Sequence, residues 1–328
     1  MRLRSEGVTT TAQEGDFLES TEGLIFDVKG SCHPPNRIIS YVRYIPDPKG
    51  DRKRGKKSYR KIYNLEERHQ FLKEKFPSYL YFDPVFQREL QGVPLESITK
   101  VYHPKEKLAE LCTAHRDTLE ECAVQLAQSL DIPVETMGIS GSILVGLHTV
   151  DSDIDVIVYK EASCIQVYHQ LQKLSEQGVV QQFDTEKAQK KAQFRWGSQN
   201  ESLVTLEQKK VMHGLFKGKE YFFRFLKSEY KKYGDIQYIP LHKATLKAVI
   251  KDDTESIFTP CRYLIEDSSI ESIEQLVSLR GRFCEQAQKG DSITARGTIE
   301  KVVSKTKEYY QMMLGDAGDY LLPKRSIQ

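Results

Sequence analysis

Long apolar runs and a strong net charge are both absent from this 328-residue chain. No apolar run is long enough to cross a bilayer as a helix, and polar residues follow the N-terminal Met1-Arg2-Leu3-Arg4 where a signal peptide would have its apolar core. We therefore expect a cytoplasmic protein without a membrane partner. The net charge of only +2 indicates that any binding of nucleic acid depends on local basic patches.

Cysteine is scarce as well, and its six residues are scattered without a Cys-x-x-Cys pair. This distribution argues against a disulfide framework and against a zinc ribbon. Cys112, His115 and Cys122 follow one another at helical spacings, so the pattern predicts three residues on the apolar face of a helix and not a metal site.

Changes in residue pattern along the chain divide it into four parts. We predict a flexible tail over residues 1–18, a small α+β domain over 19–103, a central α/β core over 104–232 and a β-rich domain over 233–328. The predicted fold class is α+β, with a mixed central sheet and helices between the two flanking domains.

In the N-terminal domain, alternating apolar residues predict a three-stranded antiparallel unit over residues 24–28, 37–44 and 59–63. A helix is expected over 65–76, and an irregular aromatic segment over 79–101. In the C-terminal domain we expect two hairpins around one amphipathic helix over residues 270–283, forming a small β-barrel that resembles an OB-fold.

In the central core, three- and four-residue spacings predict a helix of about six turns that ends before Pro133. The predicted elements that follow are the strand at 153–159, a helix over 162–177, an exposed polar stretch over 185–200, a helix over 203–213 and a strand over 220–226.

The segment Gly138 to Tyr159, GISGSILVGLHTVDSDIDVIVY, carries the most chemical information. Its end is rich in β-branched residues and predicts a buried strand, on which side chains alternate between two faces. Asp153 and Asp155 therefore share one face and can offer oxygen ligands to a hard cation. The open alternative is a polar turn at Asp151 to Asp153, with Asp155 satisfied by backbone donors.

Gly141 and Ser142 precede these aspartates, at the end of a short apolar stretch. A glycine lets the backbone approach a phosphate closely, and N–H groups at a helix start attract anions. The pair therefore predicts a phosphate-binding turn before a helix over residues 143–147.

In order and spacing, this Gly-Ser pair followed by Asp-x-Asp and an apolar run resembles the signature of the DNA polymerase β-like nucleotidyltransferase superfamily. The motif covers residues 138–159 and the likeness extends more loosely over 104–230; the flanks are similar to uncharacterised archaeal proteins described as predicted nucleotidyltransferases. In that family two aspartates and a third carboxylate hold Mg²⁺, and a glycine-serine turn holds the outer phosphates of the nucleotide.

The resemblance implies that Asp153 and Asp155 are catalytic metal ligands for Mg²⁺ or Mn²⁺, and that Gly141 and Ser142 bind the nucleoside triphosphate. No third carboxylate is obvious. Glu220 is the best candidate because it opens the next strand of the core, although it also fits a solvated strand end beside Lys219.

A basic stretch, Asp51 to Lys61, has seven Lys or Arg residues in eleven positions. Its Arg52, Lys53, Arg54, Lys56 and Lys57 are candidates for contacts with a phosphate backbone, with Tyr59 and Tyr63 available for stacking. The alternative is a solvated hairpin tip that keeps a sheet edge soluble.

We therefore expect a metal-dependent nucleotidyltransferase that moves a nucleotide from an NTP to an acceptor hydroxyl, with an RNA 3′ end as the preferred acceptor. Transfer of AMP to a protein hydroxyl is a second possibility. A non-catalytic RNA- or nucleotide-binding protein is the third, and the oligomeric state is left open.

Overall fold

The structure is a computed structural model and describes residues 12–114, 116–227 and 232–324. Within these ranges the chain forms three sheets and seven α-helices, so the predicted α+β class is confirmed. None of the described helices combines the length and the apolar character needed to cross a bilayer.

The first sheet is antiparallel. Its strands are β1 (Phe17–Ser20), β2 (Ile25–Val28), β3 (Arg37–Pro46), β4 (Arg52–Arg54), β5 (Lys57–Lys61), β6 (Leu80–Asp83), β7 (Arg88–Pro94) and β8 (Ile98–Tyr102), with helix α1 (Leu65–Lys75) after β5. The order is β4-β5-β3-β2-β1-β8, and β7 pairs with both β3 and β6. Helix α1 begins after Asn64, whose side chain accepts hydrogen bonds from two backbone N–H groups of the first turn.

Two predictions for this region are wrong. Residues 12–18 of the predicted tail are packed, because Leu18 is fully buried and β1 pairs with β2 and β8; residues 1–11 lie outside the described residues. The segment 79–101 is not irregular but contains β6, β7 and part of β8. Its aromatic residues and prolines hid the alternation, and Pro94 lies at the end of β7, where a strand tolerates proline.

The second sheet contains the central motif. Its elements are α2 (Pro104–Thr113), α3 (Thr118–Gln128), β9 (Met137–Ile139), α4 (Gly141–Leu144), β10 (Ile154–Tyr159), α5 (Glu161–Glu176), β11 (Val180–Gln181), α6 (Thr185–Trp196), α7 (Glu201–Lys209), β12 (His213–Phe216) and β13 (Lys219–Leu226). The strand order is β11-β12-β13-β10-β9, in which only β10 and β13 run parallel. The apolar face of β10 lies in one buried cluster with residues of α3, α5 and β13.

The long helix predicted before Pro133 is two helices. Asp117 caps α3, and its side chain forms a capping box with Glu120, so a new helix starts where the periodic pattern had suggested continuity. Cys122 is buried as expected, but Cys112 is exposed, and His115 lies outside the described residues. The polar stretch 185–200 is largely exposed, as predicted, and α6, which was not predicted, occupies most of it.

The third sheet closes on itself. Its strands are β14 (Ile236–Asp252), β15 (Cys261–Glu266), β16 (Ile273–Ser278), β17 (Ser292–Ser304), β18 (Glu308–Leu314) and β19 (Tyr320–Lys324). The order is β14-β15-β16-β18-β17-β19, and β14 also pairs with β17, which completes a five-stranded barrel. The predicted helix over 270–283 is wrong: β16 has apolar residues buried on both faces, a pattern that resembles a helix over so few residues.

The central and third sheets share one buried apolar cluster, and a second cluster joins the first sheet to Leu144 and Leu147; polar and aromatic contacts add to these. Phe86 stacks on Tyr238 at 5.3 Å between ring centroids, which joins the first domain to the barrel. The buried Lys210 donates to the carbonyl of Arg282 at 2.6 Å and so joins the central core to the barrel. A cleft of about 1320 Å³ has residues from the regions of all three sheets on its walls.

Phe223 of β13 is fully buried and packs between Tyr221 and Phe225. We predict that Phe223→Ala lowers the free energy of unfolding by about 3–5 kcal/mol, because it leaves a cavity in the central core. Phe82→Ala is the matched control, since Phe82 is 62% exposed and should change stability little. Denaturant unfolding measures both; equal losses would contradict the placement of β13 in the core.

Candidate functional site

Strand pairing brings the two halves of the sequence motif together. β9 pairs antiparallel with β10, and the backbone N–H of Ser140 donates to the carbonyl of Asp155 at 2.8 Å. Gly141 therefore lies beside the Asp155 side chain, with a φ of +63°. A Cβ at Gly141 would overlap the Asp155 carboxylate, so both the conformation and the space require glycine here.

Asp155 is a half-buried carboxylate with a perturbed pKa. Burial and the neighbouring charge of Asp153 raise its pKa to about 7, although Lys61, Arg224 and Arg43 act in the opposite direction. Burial and Arg43 in turn lower the pKa of Lys61 to about 8, against the attraction of the two aspartates. Side-chain pKa values that are shifted by burial together with specific charged neighbours are typical of functional sites.

Ser142 lies in a small cavity of about 80 Å³ together with Gly141 and Asp155. The serine is 2% exposed, and its hydroxyl has no hydrogen-bond partner in the part of the chain that the structure describes. A buried hydroxyl without a partner is costly unless a ligand supplies one. Helix α4 is a single turn, shorter than the helix predicted over 143–147. The backbone around Gly141 would therefore bind a phosphate mainly by letting it approach closely, because so short a helix has little dipole.

Asp153 faces the large cleft and not the small cavity. Arg43, Lys61 and Arg224 line both spaces, so one group of cations joins the part that contains Asp153 to the part that contains Asp155. Nothing in the motif itself predicted these cations, although Lys61 ends the basic stretch Asp51 to Lys61. Arg43 and Lys61 lie on β3 and β5 of the first sheet, far from the motif in the chain, and only the packing of the two sheets brings them to it.

Glu220 lies level with Asp153 in the sheet. Ile154 of β10 pairs with Tyr221 of the parallel β13, so the residues that precede them lie side by side on one face. The Glu220 carboxylate, however, forms ion pairs with Lys187 and Lys191. Burial opposes its ionisation, but the hydrogen bonds and charges of these lysines outweigh burial and lower its pKa.

Asp155 on β10 and Asp153 just before this strand could together hold a single Mg²⁺ or Mn²⁺ ion, because such ions are usually held by one or two carboxylates together with phosphate oxygens and water. Within residues 12–114, 116–227 and 232–324, no three His, Cys, Asp or Glu side chains form a group that could hold a metal ion. Burial, and after it the charge of Asp153, raises the pKa of Asp155, and a bound divalent cation would favour the ionised form of this carboxylate.

The basic hairpin β4–β5 packs against the loop that carries the motif. Arg52 is 9% exposed and donates to the carbonyl of Leu147 at 3.2 Å and to Oγ of Ser152 at 2.9 Å. Arg54 donates to Glu19 at 2.8 Å and to the hydroxyl of Tyr102 at 2.7 Å. Both arginines therefore have partners inside the protein, and Arg52 positions the loop that leads to Asp153.

The remaining residues of the predicted nucleic-acid patch, Lys53, Lys56 and Lys57, are exposed. They lie outside the walls of the large cleft. Tyr59 is fully buried and unavailable for stacking, whereas Tyr63 is 50% exposed and lines the cleft. The patch thus divides into arginines that support the motif and lysines that face solvent.

We predict that Arg52→Gln lowers the free energy of unfolding by about 1–3 kcal/mol, because it removes a buried charged donor from two oxygens. The adjacent Lys53→Gln should change stability little, since Lys53 is exposed on the same strand. Chemical denaturation of the two variants provides the comparison. Equal stability of Arg52→Gln and the parent would show that this arginine is not a support for the loop.

The pKa of Asp155 generates a pH dependence. Between about pH 4 and 7 the folded protein holds a proton on Asp155 that the unfolded chain releases, so this group makes stability fall as pH rises through that window. Asp155→Asn removes the titration. We therefore predict that, with EDTA present, the Tm difference between variant and parent grows in favour of the variant from pH 4 to pH 7, below the pKa of about 8 of Lys61, which also depends on Asp155.

Asp16, whose pKa burial raises to about 6, titrates in both proteins and cancels in this difference. Adding Mn²⁺ should raise the Tm of the parent more at pH 8 than at pH 5, because the cation competes with the proton. The Asn variant should show little response. Parallel curves of Tm against pH for parent and variant would contradict the assigned pKa of Asp155.

Comparison with known proteins gives one informative likeness. An uncharacterised protein of Methanocaldococcus jannaschii is 28% identical over 326 residues, which cover 91% of this chain and 94% of that protein. No family model matches the sequence, and no solved structure matches it. The chain is thus similar to an archaeal protein along nearly its whole length, and the chemistry of the site rests on its own geometry and charge.

Proposed function

We propose that this protein is a metal-dependent nucleotidyltransferase, which moves a nucleoside monophosphate from an NTP to an acceptor hydroxyl and releases pyrophosphate. The observation that carries the proposal is the contact between Gly141 and Asp155. It places a turn without a side chain against one of two adjacent carboxylates, at the edge of a cation-lined cleft. That combination suits a triphosphate and a divalent cation bound side by side.

Asp153 and Asp155 would hold the Mg²⁺ or Mn²⁺ ion, which when bound neutralises phosphate charge and lowers the pKa of the attacking hydroxyl. The hydroxyl of Ser142, which has no partner among the described residues, would donate to an outer phosphate oxygen. Lys61 and Arg43 would offset the negative charge that develops on the leaving pyrophosphate. These residues would bind and orient the triphosphate, so that the acceptor oxygen could attack the α-phosphorus as its bond to pyrophosphate breaks and the hydroxyl proton passes to water.

The acceptor that the cleft suits best is the 3′ end of a polynucleotide, with RNA as the preferred class. The cleft of about 1320 Å³ exceeds the usual size of a site for one small molecule, so it has room for a nucleotide and part of a second, larger substrate. Cations from all three domains reach its walls, among them Arg43, Lys191 and Arg280. A polyanionic acceptor fits these walls.

Transfer of label from each α-labelled NTP, with Mg²⁺, into mixed RNA and protein acceptors tests the proposal. We predict that the parent labels RNA, and that Asp153→Asn and Asp155→Asn each reduce the rate by roughly 10³-fold or more, since the ligand of a cation worth several kcal/mol is lost. Asp151→Asn is the matched control. Asp151 is exposed in the same loop and should leave the rate nearly unchanged.

The stability measurements support the interpretation of this test, because Asp155→Asn is expected to be at least as stable as the parent at pH 7. A loss of transfer in that variant therefore reports on chemistry and not on unfolding. Label in protein alone would move the assignment to protein nucleotidylation, the second enzymatic possibility. Full activity in both Asn variants would refute the proposal.

A non-catalytic, nucleotide- or RNA-binding protein is the second candidate function, and the ion pairs of Glu220 with Lys187 and Lys191 favour it. In the resembling family a third carboxylate completes the metal site, whereas here the carboxylate at that position is already neutralised. Such a protein would bind an NTP with Mn²⁺ but release no pyrophosphate during incubation with any acceptor. Pyrophosphate release by the parent separates the two functions.

A further inference from the structure

Two large aromatic side chains are exposed at the cleft, one from each of two domains. Tyr63 follows β5 in the first domain and is 50% exposed, whereas Phe194 lies near the end of α6 and is 71% exposed. Their ring centroids are 6.2 Å apart, with the ring planes at 87°. Both rings are thus accessible to solvent, and Phe194 is the more exposed of the two.

Cations surround this aromatic pair. The Nζ of Lys61 lies 4.9 Å from the centroid of the Tyr63 ring, and the guanidinium carbon of Arg43 lies 5.4 Å from it. On α6, Lys190 and Lys191 precede Phe194 by one turn, and both line the cleft. Open aromatic faces beside cations form the kind of surface that binds single-stranded nucleic acid, by stacking bases and attracting phosphates.

The aromatic pair is also close to the aspartates. Tyr63, Phe194 and Asp153 line one cleft, and Lys61 extends from the Tyr63 ring to the small cavity that contains Asp155. One lysine side chain thus spans the distance between the aromatic pair and the aspartate site. A nucleotide whose base stacks on the pair would have its ribose near the carboxylates.

We infer that Tyr63 and Phe194 stack the unpaired bases at the 3′ end of a single-stranded RNA acceptor. This inference rests on the proposed function and adds to it the place and the form in which the acceptor binds. The small cavity of about 80 Å³ has room for phosphate oxygens but not for a base. The aromatic pair, by contrast, is open to solvent, which suits a strand that continues out of the cleft.

Binding of a fluorescent single-stranded RNA of about 12 nucleotides tests the inference, in the Asp155→Asn background so that no transfer occurs. Tyr63→Ala and Phe194→Ala should each weaken binding by roughly 10- to 100-fold, the usual effect of losing one stacking ring. Tyr63→Phe keeps the ring and should bind like its background. Phe82→Ala, which removes an exposed ring outside the cleft, should also leave the affinity unchanged.

Affinity for an NTP with Mn²⁺, measured for the same ring substitutions in the parent background with Asp155 intact, separates the acceptor from the nucleotide. The inference requires that loss of either ring leaves NTP affinity unchanged. It is overturned if RNA affinity is unaffected, if NTP affinity falls in place of RNA affinity, or if the protein binds no single-stranded RNA. Transfer by the parent is measured separately, so failure of the stacking role leaves the test of the transferase intact.

Discussion

The structure depends on how the charge of Asp155 is balanced. A carboxylate partly removed from water beside a second carboxylate is unfavourable unless positive charge is near. Here Arg224 comes from the adjacent strand β13, whereas Arg43 and Lys61 come from the first domain. The central core therefore obtains part of its charge balance from another sheet, and the arrangement of these two domains is linked to the chemistry of the site.

Further contacts fix the same junction. The hydroxyl of Ser140, next to the glycine turn, donates to the carbonyl of Gly15 at 2.6 Å, and Glu14 forms an ion pair with Arg224. Arg52 holds the loop between the glycine turn and the aspartates from its other side. A site held by several elements needs little reorganisation when a charged substrate binds, which is the condition for effective electrostatic stabilisation.

Local patterns predicted the parts of the molecule that local forces determine. The alternation around Asp153 and Asp155 predicted strand β10, and the helix that begins after Asn64 was also predicted. Both elements depend on interactions between residues that are neighbours in the chain. Prediction from short apolar runs failed where the helical and the strand periodicity fit equally well, as in β16. It also failed where a helix cap interrupted a continuous apolar pattern, as at Asp117. The resemblance of the barrel to an OB-fold stays a prediction.

Sequence-based prediction has the same limit at the candidate site. Sequence spacing predicted which residues form the glycine turn and the aspartate strand, but not that Lys61 and Arg43 would join them. Their positions depend on packing between domains. The division of the basic stretch was equally hidden, because alternate residues of one short hairpin face the protein interior and solvent. Composition alone cannot distinguish an arginine that hydrogen-bonds to a loop of the protein from a lysine that contacts a phosphate.

The ion pairs of Glu220 bear on how a two-carboxylate site would work. Lys187 and Lys191 now neutralise Glu220, and their side chains also line the cleft that the proposed substrates would enter. Phosphate groups would offer the two lysines a second anionic partner. As the lysines turned toward phosphate, Glu220 would lose its counter-charges while lying level with Asp153, and a cation would become its favourable partner. The third ligand would then be supplied only when substrate binds, which agrees with the absence of a preformed three-ligand group among the described residues.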